Sequence, residues 1–288
     1  MLEDTLRKKV NWNNRRFEYM RCTTCRGYSL LPLLSNLDIS KLYSRNYISD
    51  HSQNAEMKLK ESTGIAHDPK AWDKAIERFR LFEGRNMSCV DFGCSINSPI
   101  IRLATEMGHE VIGVEWDPDV CRIAKQQMGT QVITPDEFFQ TSRGFDLIFL
   151  GDVLEHLSPP GDQLTKLVTK LKPGGTLMIQ GPLEGNLSIL NFFLAAKSKF
   201  SPSETGQPPY HTSLATKKSI EIILNRAGLS IDALTVHSTY WPALPPNKIF
   251  GEFNFRNALL TLIQTIDVVL SKIFRNYGNR FLVIATLR

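Results

Sequence analysis

Between Ser88 and Val236 the chain alternates short apolar runs with amphipathic ones, and turn residues punctuate the changeovers. SCVDFG (88–93) has the pattern of a buried strand ending at Gly93; Ser98-Pro99 then offers a helix cap and a first-turn proline ahead of IIRLATEM. Gly108 closes that helix. HEVIGVE (109–115) reads as the next strand, Asp117-Pro118 opens a helix through Gln127, and QVI (131–133) is a third strand. FDLIFLG (145–151) is a mostly apolar strand, QLTKLVTKL (163–171) an amphipathic helix, Pro173-Gly174-Gly175 a turn and TLMIQG (176–181) a strand. A helix over 213–228, a strand LSIDALTV (229–236) and a last strand RFLVIATLR (280–288) follow. Strands separated by helices at this pitch predict an α/β fold, a Rossmann-like doubly wound and mostly parallel sheet.

Sheets of this kind bind ligands beyond the carboxyl ends of their strands. The first such turn is Asp91-Phe92-Gly93-Cys94-Ser95-Ile96-Asn97-Ser98. Glu115 ends the second strand, where a carboxylate accepts hydrogen bonds from both hydroxyls of a ribose. A dinucleotide fingerprint would need glycine at 93, 95 and 98, and only Gly93 is present. Those glycines let a pyrophosphate sit against the helix N-terminus. A nucleoside cofactor without phosphate relaxes that demand.

VDFGCSIN, GVEWDP, FDLIFLGDVLEHL and LKPGGTLMIQGP occur in this order over about 95 residues, followed by PPYHTSLATKKSIEIILNRAGLSI. Together they resemble the successive motifs of class I S-adenosylmethionine-dependent methyltransferases. The resemblance implies a seven-stranded sheet whose last strand runs antiparallel beside the fifth, with S-adenosylmethionine as cofactor. It assigns Asp91 to the loop and the methionine amino group, and Gly93, Cys94, Ser95 and Asn97 to the methionine and ribose. Glu115 would hold the ribose and Trp116 pack on the adenine. Asp136 or Glu137 would meet the adenine amino group, and Asp152 the methionine end. Ser95 and Asn97 stand where the family usually has glycine; asparagine tolerates a left-handed backbone better than most residues. Asp136 and Glu137 have an alternative role as first-turn helix charges, and Trp116 as plain core.

Methyl transfer is an in-line displacement in which positioning does much of the work, helped by a base when the nucleophile is oxygen. His156 in Leu-Glu-His, His211 in Pro-Pro-Tyr-His and Asp152 are the catalytic candidates, with Glu155 beside them. Either histidine could instead bond the backbone. No Asn-Pro-Pro-Tyr type of motif follows the fourth strand, which counts against methylation of nucleic-acid bases.

The 288 residues divide into an N-terminal accessory segment, 1–84, and a methyltransferase domain, 85–288, interrupted by an insertion at 238–279. The accessory segment is polar, charged and helix-leaning. Within it Cys22 and Cys25 have half the spacing of a zinc ribbon; a closed zinc site needs four ligands, so a remnant hairpin is expected and no metal. Tyr43 and Tyr47 are candidates for a lid, and Trp72, Ala75, Ile76, Phe79, Leu81 and Phe82 mark an amphipathic helix over 70–82. Leu259, Leu262, Ile263, Ile266, Leu270 and Ile273 form a helical stripe within 256–274, read as core or substrate lid, or as peripheral membrane contact.

Residues 1–26 and 247–288 each carry a net charge of +4, so the overall +5 leaves the middle at −3. Basic ends suit an anionic partner or simply a solvated surface. Hydrophobic residues at 42% and charged residues at 22% exclude general disorder. There is no signal-peptide pattern and no 18-residue apolar run, and five cysteines form no secreted framework. The expected protein is soluble and cytoplasmic, and its substrate is a small molecule or glycan-like acceptor methylated on oxygen. A binding module that kept the fold without activity is one alternative. A nucleic-acid or protein methyltransferase is the other. The sequence sets no oligomeric state.

Overall fold

A computed structural model describes residues 2–3, 9–43, 76–78, 80–83, 86–200, 208–239 and 255–288. The N-terminal segment departs from the helix-leaning expectation. β1 (Leu2–Glu3), β2 (Val10–Trp12), β3 (Arg15–Cys22) and β4 (Tyr28–Leu31) form an antiparallel sheet, and only then comes α1 (Asn36–Leu42). The reason is local. Asn13 and Asn14 both take left-handed backbone, φ 51° and 57°, which a two-residue hairpin of the primed type requires. Val10, Phe17, Leu30 and Leu34 then bury their side chains against Leu42. Cys22 and Cys25 sit at the β3–β4 turn as free thiols. Of the helix expected over 70–82, Ile76, Glu77 and Arg78 are helical and Leu81 and Phe82 are buried in a turn; Trp72, Ala75 and Phe79, like Tyr47, lie outside the described residues.

The central sheet is the doubly wound one. It runs β5 (Ser88–Phe92), β6 (Glu110–Val114), β7 (Gln131–Ile133), β8 (Phe145–Gly151), β9 (Leu171–Pro182), β11 (Leu229–His237) and β12 (Arg280–Leu287). Spatial order is β11-β12-β9-β8-β5-β6-β7. β5 through β9 pair in parallel, and β12 is antiparallel to both β9 and β11. Alternation along β8 shows the two buried faces: Ile148 and Leu150 point into one core, Leu147 and Phe149 into the other.

Helices cover both faces. α2 (Pro99–Glu106) and α3 (Pro118–Met128) place Ile100, Ile101, Ala104, Cys121 and Ala124 in the second core. α4 (Pro135–Gln140), α5 (Pro160–Val168) and α7 (Lys217–Arg226) place Phe138, Leu164, Leu167, Ile220 and Leu224 in the first. β10 (Ser213–Leu214), just ahead of α7, leaves the main sheet and pairs with β4. The N-terminal sheet is therefore completed by a strand from the far half of the chain.

α6 (Ile189–Phe200) packs on α8 (Phe255–Ile273). The stripe expected along α8 is only partly its buried face: Ile263 is buried together with Gln264 and Asp267, whereas Leu262, Ile266 and Ile273 are exposed. Asp267 decides the rotation. Its fully buried carboxylate accepts hydrogen bonds from the Ile189 and Leu190 amides, both at 2.9 Å, and from the Tyr277 hydroxyl. It thereby satisfies orphan amides at the start of α6 and turns the apolar stripe partly outward. No helix among the described residues is long and apolar enough to cross a membrane.

Candidate active site

β8, β5 and β6 are neighbours in the sheet, and all the candidate cofactor residues but Asp136 and Glu137 lie at or just beyond their carboxyl ends. Asp91 is 4% exposed near the end of β5. Burial pushes its carboxyl up to about 7, and a hydrogen bond from the Ser98 hydroxyl opposes that shift. The same Ser98 oxygen accepts the Ile101 amide at 3.0 Å and so caps α2. One serine thus ties the acid to the helix start.

Gly93 follows with φ +84°, and a Cβ there would lie 2.4 Å from a methyl of Val153. Ser95 takes the next left-handed position, φ 52°, whereas Asn97 takes none. So the residue replacing the first missing glycine bears the backbone demand, and asparagine's tolerance is not used. Cys94 is buried with its sulfur over Gly113, where a Cβ would meet it at 2.6 Å. Its side chain belongs to the core, and only its backbone faces the loop.

Glu115 stands just beyond β6. It accepts the Ser95 amide at 2.9 Å on one oxygen and the Trp116 amide at 2.7 Å on the other. Burial pushes its pKa up and these amides pull it back. Each oxygen keeps a second lone pair. Trp116 is half-buried between Phe92, 6.0 Å away edge-on, and Tyr43 of the N-terminal segment, 6.3 Å away. Glu137 closes a capping box on α4, accepting the Thr134 amide at 2.7 Å and its hydroxyl at 2.8 Å. That is the first-turn role weighed for it. Asp136 beside it is exposed.

Asp152, just after β8, is left-handed at φ 55°. Its carboxylate meets the buried Arg280 at 2.5 Å and the Gln180 amide at 3.4 Å. Glu155 and His156 then lie in a 3-10 turn, Leu154–His156. Glu155 is 5% exposed, and burial together with the Asp152 charge pushes its carboxyl up to about 8. The His156 Nδ1 donates to the Tyr210 carbonyl at 2.8 Å, and its Nε2 lies 3.9 Å from the Glu155 carboxylate.

His211 arrives from the segment before β10. Its ring lies 5.0 Å from that of His156, edge to face. Nδ1 donates to Glu184 at 2.6 Å. Burial alone would lower its pKa, but the Glu184 carboxylate, aided by Glu155 and Asp152, raises it to about 9. The Thr212 amide and hydroxyl both bond the Glu155 carbonyl, and Tyr19 donates to the His211 carbonyl at 2.6 Å. The N-terminal sheet therefore backs the histidine pair. Tyr43 completes the wall, 6.3 Å from Trp116 and 6.0 Å from His156. Glu184, Arg280 and Tyr19 had no sequence signal, because each matters only through a partner more than 25 residues away.

The methyltransferase-domain family matches residues 65–234, well over half the chain. The chain belongs to the class I S-adenosylmethionine-dependent methyltransferases, a family of enzymes that use that cofactor. Among solved structures it is similar to a Galdieria sulphuraria protein assigned as a sarcosine dimethylglycine methyltransferase, at 12% identity and TM-score 0.51, with 75% of this chain and 84% of that one covered. It is also similar to an S-adenosylmethionine-dependent methyltransferase from Archaeoglobus fulgidus, at 17% identity and TM-score 0.49, covering 77% and 96%. A magnesium protoporphyrin IX methyltransferase from Synechocystis, with S-adenosylhomocysteine bound, gives 17% and 0.49, covering 75% and 81%. At such identities the likeness concerns the fold. No curated sequence matches the chain.

Proposed function

We propose that the chain methylates an oxygen of a small or glycan-like acceptor held against His156, His211 and Asp152. One observation carries this reading: Tyr43 touches both Trp116 on the cofactor side and His156 on the other, so the two halves share one wall. The loop fits the cofactor. Gly93 and Ser95 turn its backbone tightly, and Glu115 keeps lone pairs for two ribose hydroxyls. In this reading Asp91, Gly93, Ser95, Asn97, Glu115 and Trp116 hold the cofactor, Cys94 contributes backbone only, and Asp136 rather than Glu137 is free to meet the adenine. Residues 1–84 act as the accessory wall of a methyltransferase domain at 85–288.

When bound, S-adenosylmethionine supplies an electrophilic methyl group on a sulfonium. His156 holds the acceptor hydroxyl and takes its proton at Nε2. Arg280 and Gln180 keep Asp152 oriented, and Glu184 keeps His211 in place. The test is labelled methyl transfer to a panel of hydroxylated acceptors by wild type, Glu115→Ala and His156→Ala. Transfer that both substitutions depress supports the reading. Cofactor binding with no transfer to any acceptor would leave the binding-module alternative standing.

The exposed face of α8 motivates one second reading. Leu262, Ile266, Val269, Ile273 and Phe274 are exposed beside the exposed Lys272 and Arg275, as on a helix resting at a lipid surface and meeting a lipid-linked acceptor. Cosedimentation with anionic vesicles, lost in Phe274→Glu, tests it.

A further inference from the structure

Glu155, His156 and His211 bring one donor atom each within 4.8 Å of one another. We infer that these three side chains bind a divalent transition-metal ion, with the acceptor's oxygen as a further ligand. This deepens the function proposed above and rests on it for the place of the acceptor. Two imidazoles and one carboxylate are a donor set that suits zinc or cobalt better than magnesium or calcium, and three protein ligands leave a position open.

Three donors no more than 4.8 Å apart share a point roughly 2.8 Å or less from each, against about 2.0–2.2 Å in a formed site. Small side-chain rotations close that gap. The outer contacts are those of a ligand pair. Nδ1 of His156 bonds the Tyr210 carbonyl and Nδ1 of His211 the Glu184 carboxylate, contacts of the kind that orient a ligating imidazole. Nε2 of His156 already lies 3.9 Å from the Glu155 carboxylate. The backbone is fixed as well. Thr212 bonds the carbonyls of Glu155 and Leu157, locking the two ligand segments together from 55 or more residues apart. Asp152 is excluded from the set because its carboxylate is engaged by Arg280 and Gln180.

The rings are about one-fifth and one-third exposed and Glu155 is buried, so solvent reaches the cluster at the rings. An ion there would take the Nε2 lone pair of His156. It would also make a bound hydroxyl more acidic, so that the hydroxyl's proton passes to water rather than to the ring.

The experiment titrates the metal-stripped full chain with Co2+ and Zn2+ near pH 8, followed by calorimetry and by the visible absorption of the cobalt form. A Cys22→Ser/Cys25→Ser background removes the thiols of the β3–β4 turn. Binding displaces the proton that Glu184 favours on His211, hence the alkaline buffer. One ion per chain is expected. His156→Ala and His211→Ala should each weaken it about 100-fold or more, and Glu184→Gln about 10-fold. Should an alanine variant melt early, His156→Gln and His211→Gln serve in its place. Absence of binding, or binding that neither histidine substitution alters, would overturn the inference. S-adenosylmethionine is titrated in parallel. Cofactor binding without metal binding sinks this inference alone, whereas metal binding without cofactor binding sinks the proposed function alone.

Discussion

The two sides of the candidate site are built in opposite ways. The cofactor side is local: Asp91, the turn through Ser98, and Glu115 with Trp116 lie on two adjacent parallel strands within 26 consecutive residues. The acceptor side is assembled from afar. His156 follows β8, Glu184 follows β9, His211 precedes β10, and Tyr19 and Tyr43 come from the N-terminal segment. A local site is specified by strand ends and turn residues, so a motif describes it. An assembled site exists only through long-range hydrogen bonds such as Thr212 to Glu155. The contrast predicts separable failures.

The largest effect belongs to turnover. His156→Ala should lower kcat about 10²- to 10⁴-fold while the cofactor dissociation constant stays within a factor of about two, because no group on β5 or β6 is touched. Glu115→Ala should do the reverse. Losing two charge-assisted bonds to ribose, each worth about 1.5–3 kcal/mol, weakens cofactor binding by 100-fold or more. Calorimetry paired with labelled methyl transfer reads both. If His156→Ala abolished cofactor binding as well, the separation of the two sides would be wrong.

Next comes Gly93→Val. The new side chain meets Val153 at a position where even a Cβ comes within 2.4 Å, and φ +84° is costly for a branched residue. Overpacking and backbone strain together should destabilise the fold by about 2–4 kcal/mol, seen as a melting temperature several degrees lower. An unchanged melting curve would mean that the loop relaxes freely and is not the rigid cradle described.

The same contrast explains what was legible in the sequence. Every strand of the central sheet was, the five parallel ones because buried parallel strands are apolar runs bounded by turn residues. Asp91 and Glu115 were too, since they follow those runs directly. The N-terminal sheet was missed. Its signal was the pair Asn13-Asn14 between Trp12 and Phe17, which alternation of charged residues concealed. The neighbourhood of His156 and His211 could not be read at all, because neither spacing nor pattern reports a contact across 55 positions. The outward turn of α8 was hidden for a related reason: Asp267 breaks the apolar stripe as a charge, yet in the fold it is the buried anchor of α6.

Asp38 asks whether the N-terminal sheet belongs to the acceptor side. Its buried carboxylate accepts the Ser35 amide and hydroxyl and pairs with Arg15 at 2.6 Å. Burial opposes ionisation, but these partners win and hold its pKa below the usual range. This contribution is therefore present above about pH 4 and lost as pH falls through the lowered value. Asp38→Asn should cost about 1–3 kcal/mol, confined to amide exchange within residues 9–43. It should raise KM for the acceptor and leave cofactor binding unchanged. A cofactor effect of equal size would instead join the sheet to the cofactor side.

The smallest expected effect is a slope. Glu184 raises the His211 pKa to about 9, from about 6.5 in an unfolded chain. A cation stabilised in the folded state contributes fully below pH 6.5 or so, and the contribution disappears as pH climbs through about 9. The ring is about one-third exposed, so solvent screens the pair and the contribution is modest. Buried Asp91 and Glu155, with carboxyls raised to about 7 and about 8, also favour the fold on the acid side, so the wild-type slope alone does not isolate the pair. The difference between wild type and Glu184→Gln does. Denaturation midpoints of the metal-stripped proteins, measured between about pH 6 and pH 10, should converge at the alkaline end and separate at the acid end, with wild type the more stable. Parallel curves would mean that Glu184 does not hold the proton on His211. The second side of the site would then have lost the carboxylate that orients it, and with it the clearest case of a contact that only the fold supplies.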